Sequence, residues 1–283
     1  LNWYKNPLNR DYSKSLEIEV AGVPHVFAWG GLHGAIPKYH GEGWFVNVDV
    51  ASYYPSLMLV YKWLSRNVHD PSKYAEIYHT RLKLKAEKNP MQQPYKIVLN
   101  STYGAMKDKH NAMYDPRQAN NVCVGGQLLL LDLIERLEDH CEIIQSNTDG
   151  ILVKLRRYED FEMLDDLCWE WEQRTGMRLE FDEFQKVYQK DVNNYLWVGI
   201  DGGVERIGAY VKELSAVDND LPILNKALVD YMVKKTPVEQ TINQCDDLIM
   251  FQKIVKLSDK YDWVEHEHCT PLVSHIGKRT IKT

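Results

Sequence analysis

The chain has 283 residues, 44% of them hydrophobic and 26% charged, and its formal net charge is −6. This composition excludes a mainly disordered chain, and the acidic balance argues against a general nucleic-acid-binding protein. No apolar run is long enough to span a bilayer, and the five cysteines show no paired spacing, so we expect a cytoplasmic protein with reduced thiols and no membrane partner.

The first half of the chain predicts one strand followed by several helices. Residues 1–42 are expected to be loop-rich because three glycines cluster between positions 30 and 34. The apolar run 44–48 predicts a buried strand that ends at Asp49. Prolines and helix-capping side chains then mark the boundaries of further helices. These helices are expected over residues 54–64, 70–88 and 93–106.

The second half predicts a long helix, a hairpin and further strands. Leucines and isoleucines recur at the 3.6-residue period of a helix over residues 117–140. The sequence Asn-Thr-Asp-Gly at residues 147–150 predicts a tight turn between two strands. A helix over 158–173 follows, and the tail from Ile223 is expected to be mostly helical. Strands are expected over residues 142–145, 151–155, 178–181, 184–189 and 195–200.

The order of these elements corresponds to a split β-α-β-β-α-β arrangement with helices inserted after its first strand. Asp49 ends the first strand, and Asp149 lies at the tip of the hairpin formed by the middle strands. These strands are neighbours in that arrangement. We therefore expect two carboxylates that are 100 residues apart in the sequence to meet in space.

Charge is unevenly distributed along the chain. Between Arg81 and Lys109 there are seven Lys or Arg residues and two acidic residues, whereas acidic residues dominate between Asp132 and Asp191. A basic segment and an acidic segment could serve one site, in which the first binds phosphates and the second binds a metal ion.

The acids at the strand end and at the hairpin tip are suited to such a site. Asp49 lies where a strand turns into a helix, and the amide groups at the start of a helix can bind phosphate oxygens. Asp149 lies between apolar strands, where a carboxylate needs a partner such as a metal ion shared with Asp49. Taken alone, an acid at either position is more often an ordinary turn residue.

A polar helical face is the third feature. Lys96 and Asn100 share one side of the predicted helix with Tyr103. The adjacent Gly104 would allow a ligand to approach closely. The alternatives are a solvent-facing stripe and a helix that ends with Gly104 as its C-cap.

Together these segments resemble motifs of the family B DNA polymerases, particularly the short phage-type enzymes. Residues 49–56 (Asp-Val-Ala-Ser-Tyr-Tyr-Pro-Ser) are similar to the first palm motif of that family. Residues 96–104 (Lys-Ile-Val-Leu-Asn-Ser-Thr-Tyr-Gly) are similar to its fingers helix, and residues 147–149 (Asn-Thr-Asp) to its Asp-Thr-Asp motif. The resemblance covers about residues 30–212 and departs at Asn147, where the family usually has Asp.

The resemblance implies an α+β right-hand polymerase fold with a βαββαβ palm, a helical fingers insertion and a small helical thumb. No segment of the sequence is expected to form a proofreading exonuclease, a domain that is either naturally absent or truncated. The palm is implied to consist of two chain segments, over 43–62 and 118–212, with the fingers over 63–117 between them. A connecting and template-contact segment is implied over 1–42, and a complete or partial thumb over 213–283.

The implied activity is that of a DNA-directed DNA polymerase, a nucleotidyltransferase that adds deoxynucleotides to a primer 3′-hydroxyl. Its implied cofactors are two Mg²⁺ ions, for which Mn²⁺ could substitute. Asp49, Asp149 and the Val50 carbonyl would hold the ions, and Lys96 would act on the phosphates during catalysis. Implied partners are primer–template DNA, dNTPs and a priming protein or replication accessory factors, in the bacterial host cytosol if the gene is phage-borne.

The same resemblance implies which residues bind substrates. Tyr54 would pack beneath the sugar and exclude a 2′-hydroxyl by a steric clash. A later Lys-Tyr motif that grips the primer end has two possible alignments. One places it at Lys186 and Tyr188. The other, whose spacing fits better, places it at Tyr195 with Lys190 nearby.

The implied nucleotide-binding residues are Ser52, Tyr53, Tyr54, Arg81, Lys85, Lys96 and Asn100. The implied DNA-binding residues are Gly30, Gly31, Tyr103, Gly104, Asn147, Thr148, Lys186, Lys190, Tyr195 and Lys212.

Two other interpretations stay open. A catalytically silent relic could bind primer–template without chemistry, and Asn147 slightly favours it. A reverse transcriptase or a cyclase could share the two metal-binding acids, but neither is expected to carry the helix motif of residues 96–104. Extension of a primer on DNA and RNA templates separates these interpretations.

Overall fold

The computed structural model describes residues 14–208, 211–215 and 220–254, together with the strand residues 273–276 and 279–282. Contacts divide the chain into two compact units, residues 1–209 and 210–283. In the described part of the first unit, one large sheet packs against helices. The second unit contains short helices and a separate two-stranded sheet.

The large sheet has nine strands, and every pair of neighbouring strands is antiparallel. The order across the sheet is β1-β2-β3-β5-β6-β4-β7-β8-β9. The strands are β1 (Leu16–Val20), β2 (Val23–Ala28), β3 (Gly31–Ala35), β4 (Tyr39–Val50), β5 (Glu142–Asn147), β6 (Gly150–Leu155), β7 (Leu179–Asp191), β8 (Asn194–Gly199) and β9 (Val204–Ile207).

The helices of the first unit begin and end close to where their sequences predict. Pro71 and Pro116 occupy the first helical turn of two helices, and Asp70 and Asp115 cap the same two helices by accepting from backbone amides. None of the described helices is both long and apolar enough to cross a membrane. The helices are α1 (Tyr53–Val60), α2 (Pro71–Ala86), α3 (Gln92–Lys107), α4 (Pro116–Leu137) and α5 (Asp160–Thr175).

Along β4, alternate side chains point to opposite faces of the sheet. Val46 and Val48 are buried in the main core together with the apolar stripe of α4. Phe45 belongs to a smaller cluster on the other face. Successive side chains of a strand point to opposite faces, so Asn47 and Asp49 share the face of Phe45. Asp49 therefore lies on the face opposite the main core.

The predicted right-hand polymerase fold, with its βαββαβ palm, helical fingers insertion and small helical thumb, is wrong. The described residues instead form one nine-stranded antiparallel sheet with seven α-helices in the two units. Residues 16–35 form three strands that extend the sheet beyond β5, although the sequence predicted loops there. On the other side the 13-residue β7 pairs with β8, which pairs with β9.

Several individual elements lie where they were predicted. β4 contains the predicted strand 44–48, and α4 covers most of the predicted long helix. β5 and β6 form the predicted hairpin around residues 147–150. β6 also pairs with β4, with Asp49 opposite Gly150, so the strands that carry the two acids are neighbours.

The second unit is helical at first. It contains α6 (Pro222–Lys234), α7 (Val238–Asn243) and a 3-10 helix (Leu248–Phe251), in agreement with the predicted helical tail. The end of the chain departs from that prediction, because β10 (Val273–Ile276) and β11 (Arg279–Lys282) pair as an antiparallel hairpin.

Candidate functional site

A cleft of about 370 Å³ lies where β4 turns into α1. It brings together segments that are far apart in the sequence: the end of β4, the start of α1, one side of α2 and α3, and the turn between β5 and β6. Its lining residues are Asp49, Val50, Ser52, Tyr53, Tyr54, Pro55, Arg81, Lys85, Lys96, Asn100, Thr148, Asp149 and Glu180.

The two acids are held in this cleft by the backbone around them. The amide of Val50 donates to the carbonyl of Asp149 at 2.7 Å, which ties the β5–β6 turn to the end of β4. Gly150 lies opposite Asp49 in the sheet, and a Cβ atom at this position would collide with Asp49 Oδ1. A side chain at position 150 would therefore displace the Asp49 carboxylate.

The surroundings of Asp49 and Asp149 raise the pKa of both carboxyl groups. Burial, followed by the charge of Asp149 and then those of Asp182 and Glu205, raises the pKa of Asp49 to about 7. Asn47 Nδ2 donates to Asp49 Oδ2 at 3.0 Å and opposes this rise in pKa. Burial also raises the pKa of Asp149, while the charge of Lys96 lowers it. Burial is thus the largest cause that disfavours ionisation at both acids, and near pH 7 Asp49 is only partly ionised.

The opposite wall of the cleft carries basic side chains. Arg81 is buried and donates to the Ser52 hydroxyl, and its Nε atom is buried with no hydrogen-bond partner among the described residues. Lys85 pairs with Glu180 at 2.5 Å. Lys96 and Asn100 are exposed on α3 and face the same space. This wall could bind an anion with several oxygens, such as a phosphate chain.

Ser52 lies at the start of the helix that faces this wall. Its backbone is left-handed, with φ of 50°, and α1 begins at the next residue. The amide groups in the first turn of a helix have no partner within the helix and can bind an anion. Tyr53 fixes this helix, because its buried hydroxyl donates to the Gly126 carbonyl of α4 at 2.6 Å.

Tyr54 lines the cleft and packs against Tyr103. The rings of Tyr54 and Tyr103 pack edge to face with centroids 4.7 Å apart. The Tyr54 hydroxyl donates to the Gly30 carbonyl at 3.4 Å. Gly104 lies inside α3, which continues to Lys107, so the alternative prediction of a C-cap at Gly104 is wrong. A Cβ at Gly104 would meet open space, so this helical face is accessible.

A smaller cavity of about 110 Å³ shares both acids with the main cleft. Tyr195 is buried there, stacks on Trp197 with centroids 4.2 Å apart, and donates to Glu205 Oε1 at 3.1 Å. Asn147, at the end of β5, also lines this cavity. Of the two alignments of the Lys-Tyr motif, the structure brings Tyr195 next to the acids.

Of the remaining predicted DNA-binding residues, Thr148 lines the main cleft, whereas Gly31, Lys186, Lys190 and Lys212 line neither cavity. Lys186 pairs with Glu42 at 3.0 Å, and Lys190 is exposed near the end of β7. Gly31 packs directly beneath Thr148. Lys212 lies in the second unit, where its carbonyl accepts from Asn225 at 2.9 Å.

Three polar residues of the site were missed by sequence reasoning. Asn47 precedes Asp49 by two residues on one strand, so their side chains share a face, and this spacing was a usable signal. Glu180 and Glu205 enter through the pairing of β7 with β4 and β8 with β9. Their positions depend on strand register, which no local sequence pattern specifies.

The donor set fits a hard divalent cation in part. The charge of Asp149 raises the pKa of Asp49. A cation between the two carboxylates would offset this repulsion, and oxygen atoms are the ligands that Mg²⁺ prefers. Within the described residues, no three His, Cys, Asp or Glu side chains gather into a metal-ligand cluster. Asp49 and Asp149 would therefore bind an ion whose other ligands come from the backbone, water and substrate.

Comparison of the chain with protein-family models and with curated proteins finds no match. The resemblance to family B DNA polymerases therefore depends on residues 49–56, 96–104 and 147–149 alone.

Proposed function

We propose that the protein is a template-directed DNA polymerase that adds deoxynucleotides to a primer 3′-hydroxyl. One observation carries the proposal: the carboxylates of Asp49 and Asp149 line the same cleft as Arg81, Lys85 and Lys96. A nucleotidyl transfer site needs acids that bind divalent cations next to basic groups that bind a triphosphate.

The residues divide into two chemical roles. Asp49 and Asp149, with the Val50 carbonyl, would hold Mg²⁺, which supplies activation of the primer hydroxyl and charge neutralisation at the phosphates when it is bound. Lys96 and Arg81 would bind the oxygens of the triphosphate, and the amides at the start of α1 would bind the same group from the other side. Because Lys85 is paired with Glu180, it would have to exchange partners when a triphosphate enters.

Tyr54 would select deoxynucleotides. Its ring lines the cleft and is buttressed by the ring of Tyr103, which leaves little freedom for it to move away from a sugar. We expect Tyr54→Val to increase the incorporation of rNTP relative to dNTP by roughly 10–100-fold, because the clash with a 2′-hydroxyl is removed. Single-nucleotide insertion kinetics with each substrate measure the ratio of kcat/KM values.

The matched control is Tyr54→Phe, which keeps the ring and removes only the hydroxyl that donates to Gly30. This variant should retain the selectivity of the original chain. Equal selectivity of the Val and Phe variants would show that the Tyr54 ring does not contact the sugar.

Extension of a labelled primer on a DNA template tests the proposed function directly. We expect Mg²⁺-dependent addition of dNTPs, little addition of rNTPs, and no product when the metal is chelated. An RNA template tests the reverse-transcriptase alternative. Absence of any extension at saturating DNA, dNTP and Mg²⁺ or Mn²⁺ would overturn the proposal.

A catalytically silent primer–template-binding module is the second candidate. Two observations favour it. Asn147 stands where the resembled family usually has an acid, and Lys85 already forms an ion pair with Glu180. Tight binding of primer–template without extension would support this candidate. Both acids and all three basic groups are nevertheless present in the cleft, which favours the enzyme.

A further inference from the structure

Thr148 connects the acid-bearing turn to a neighbouring strand. It precedes Asp149 and has a left-handed backbone, with φ of 55°. Its Oγ1 atom lies 3.0 Å from Nε2 of His33, which is on β3. This conformation is uncommon for a β-branched residue and persists only where the surroundings hold it.

The contacts of Thr148 with β3 continue along its backbone. The amide of Thr148 donates to the Leu32 carbonyl at 2.8 Å. Gly31 lies directly below, and a Cβ atom at this position would come within 2.9 Å of Thr148 Oγ1. Three consecutive residues of β3 thus contact Thr148. Gly31 leaves space for its side chain, the Leu32 carbonyl accepts from its amide, and His33 hydrogen-bonds its hydroxyl.

The turn is held from its other side by β4. Asp149 is tied to Val50 through the backbone at 2.7 Å, and Asp149 lies in the same cleft as Asp49. The hydroxyl of Thr148 is engaged by His33 on one flank, so its hydrogen bond restrains the residue directly before the acid. Loss of that hydrogen bond would free the turn to adopt other backbone conformations.

We propose that His33 is a positioning residue, which acts through the Thr148 hydroxyl to hold the Asp149 carboxylate toward Asp49. The proposal rests on the proposed function for its effect on primer extension. Its structural part, the coupling of His33 to the turn, stands independently. Burial lowers the pKa of His33, so the imidazole is neutral at neutral pH and adds no positive charge beside the acids.

The activity test uses two matched pairs of variants. His33→Ala removes the imidazole, whereas His33→Gln keeps a polar group near the position of Nε2. Thr148→Val keeps the shape of the side chain without the hydroxyl, whereas Thr148→Ser keeps the hydroxyl. We expect His33→Ala and Thr148→Val to reduce kcat by about 10–100-fold with little change in KM for dNTP, because a misplaced catalytic group affects the chemical step.

The conservative variants should restore much of the loss. The double variant His33→Ala with Thr148→Val should lose no more than either single variant, because both remove the same hydrogen bond. His40→Ala is the control, since His40 is an exposed strand histidine that does not line the cleft. It should behave as the unmodified chain.

Two readouts do not depend on polymerase activity. Thr148→Val should shift the His33 Nε2 signal in ¹⁵N-histidine NMR spectra, whereas His40 should be unaffected. Mn²⁺ alone, titrated by electron paramagnetic resonance, should bind about 10-fold more weakly to His33→Ala than to the unmodified chain. If the unmodified chain extends no primer, the proposed function fails while these two measurements still judge the role of His33.

Unchanged kcat and unchanged Mn²⁺ affinity in His33→Ala would overturn the proposal. Equal losses in Thr148→Ser and Thr148→Val would do the same, because the hydroxyl would then be irrelevant. If His33→Ala fails to fold, the Thr148 pair and the NMR shift carry the test by themselves.

Discussion

Replacing Asp149 by Asn is expected to reduce Mg²⁺-dependent primer extension by at least about 10³-fold. The substitution keeps the size of the side chain and removes one of the two carboxylates in the cleft, so binding of the cations needed for the transfer is lost. Asp49→Asn should have a similar effect, since the two acids lie in one cleft and serve one set of ions. Single-turnover extension kinetics measure the loss.

Binding of primer–template should survive these substitutions. DNA is a polyanion, so neither acid makes an attractive electrostatic contact with its phosphates. Replacing either acid by Asn therefore removes no favourable contact with DNA. Fluorescence anisotropy should give Kd values within about 3-fold of the unmodified chain. Asp139→Asn is the control, because Asp139 is exposed and does not line the cleft. Extension by Asp149→Asn at the original rate would exclude the proposed mechanism.

The convergence of the acids could be predicted from the sequence because strong local signals carried it. The apolar run before Asp49 specified a buried strand, and the Asn-Thr-Asp-Gly sequence specified the hairpin turn. A strand and a hairpin on either side of helices have few ways to pair, and β4 does pair with β6. The basic wall followed from helical periodicity, which placed Lys96 and Asn100 on one side of α3.

The overall sheet could not be predicted in the same way. Strands β1 to β3 are short, lie between turns rich in glycine, and are identified only by their pairing with one another and with β5. The segment was therefore predicted as loop. That error also concealed His33, whose role depends on β3 lying beside the turn of Asp149. Strand β3 lies outside the three sequence motifs, yet it places His33 beside the turn that carries Asp149.

The site concentrates negative charge at a cost to the stability of the metal-free protein. Four acidic groups contribute to the electrostatic field: Asp49 and Asp149 in the cleft, with Asp182 and Glu205 nearby. The field favours binding of cations and opposes ionisation of Asp49. Ionised Asp49 is therefore needed to bind a cation, but its ionisation destabilises the metal-free protein.

This opposition predicts a pH-dependent gain of stability in Asp49→Asn. Below pH of about 4 the carboxyl is protonated in both the folded and the unfolded chain, so the substitution should change little. Between the ordinary pKa of 3.8 and the folded value of about 7, the unfolded chain ionises first, and the free energy of unfolding falls as the pH rises. Above pH of about 7 the penalty is complete.

The size of the gain follows from the pKa values. A rise from 3.8 to about 7 corresponds to about 4 kcal/mol as an upper limit, and relaxation of the partly accessible site should reduce it to about 1–3 kcal/mol at pH 8. Asn at this position can still accept from Asn47 Nδ2, so no hydrogen bond is lost. Urea denaturation at pH 4, 6 and 8 with a chelator present measures the difference between variant and unmodified chain.

Addition of Mn²⁺ or Mg²⁺ should reverse the order of stability at pH 8. A cation binds the ionised acids of the folded chain and stabilises it by mass action, and this stabilisation should be largely absent from Asp49→Asn. Asp139→Asn should show a difference that is small and independent of pH and metal. If Asp49→Asn changes the free energy of unfolding by the same amount at pH 4 and pH 8, the pKa of Asp49 is not raised in the folded chain. The acid pair would then provide no driving force for binding a cation.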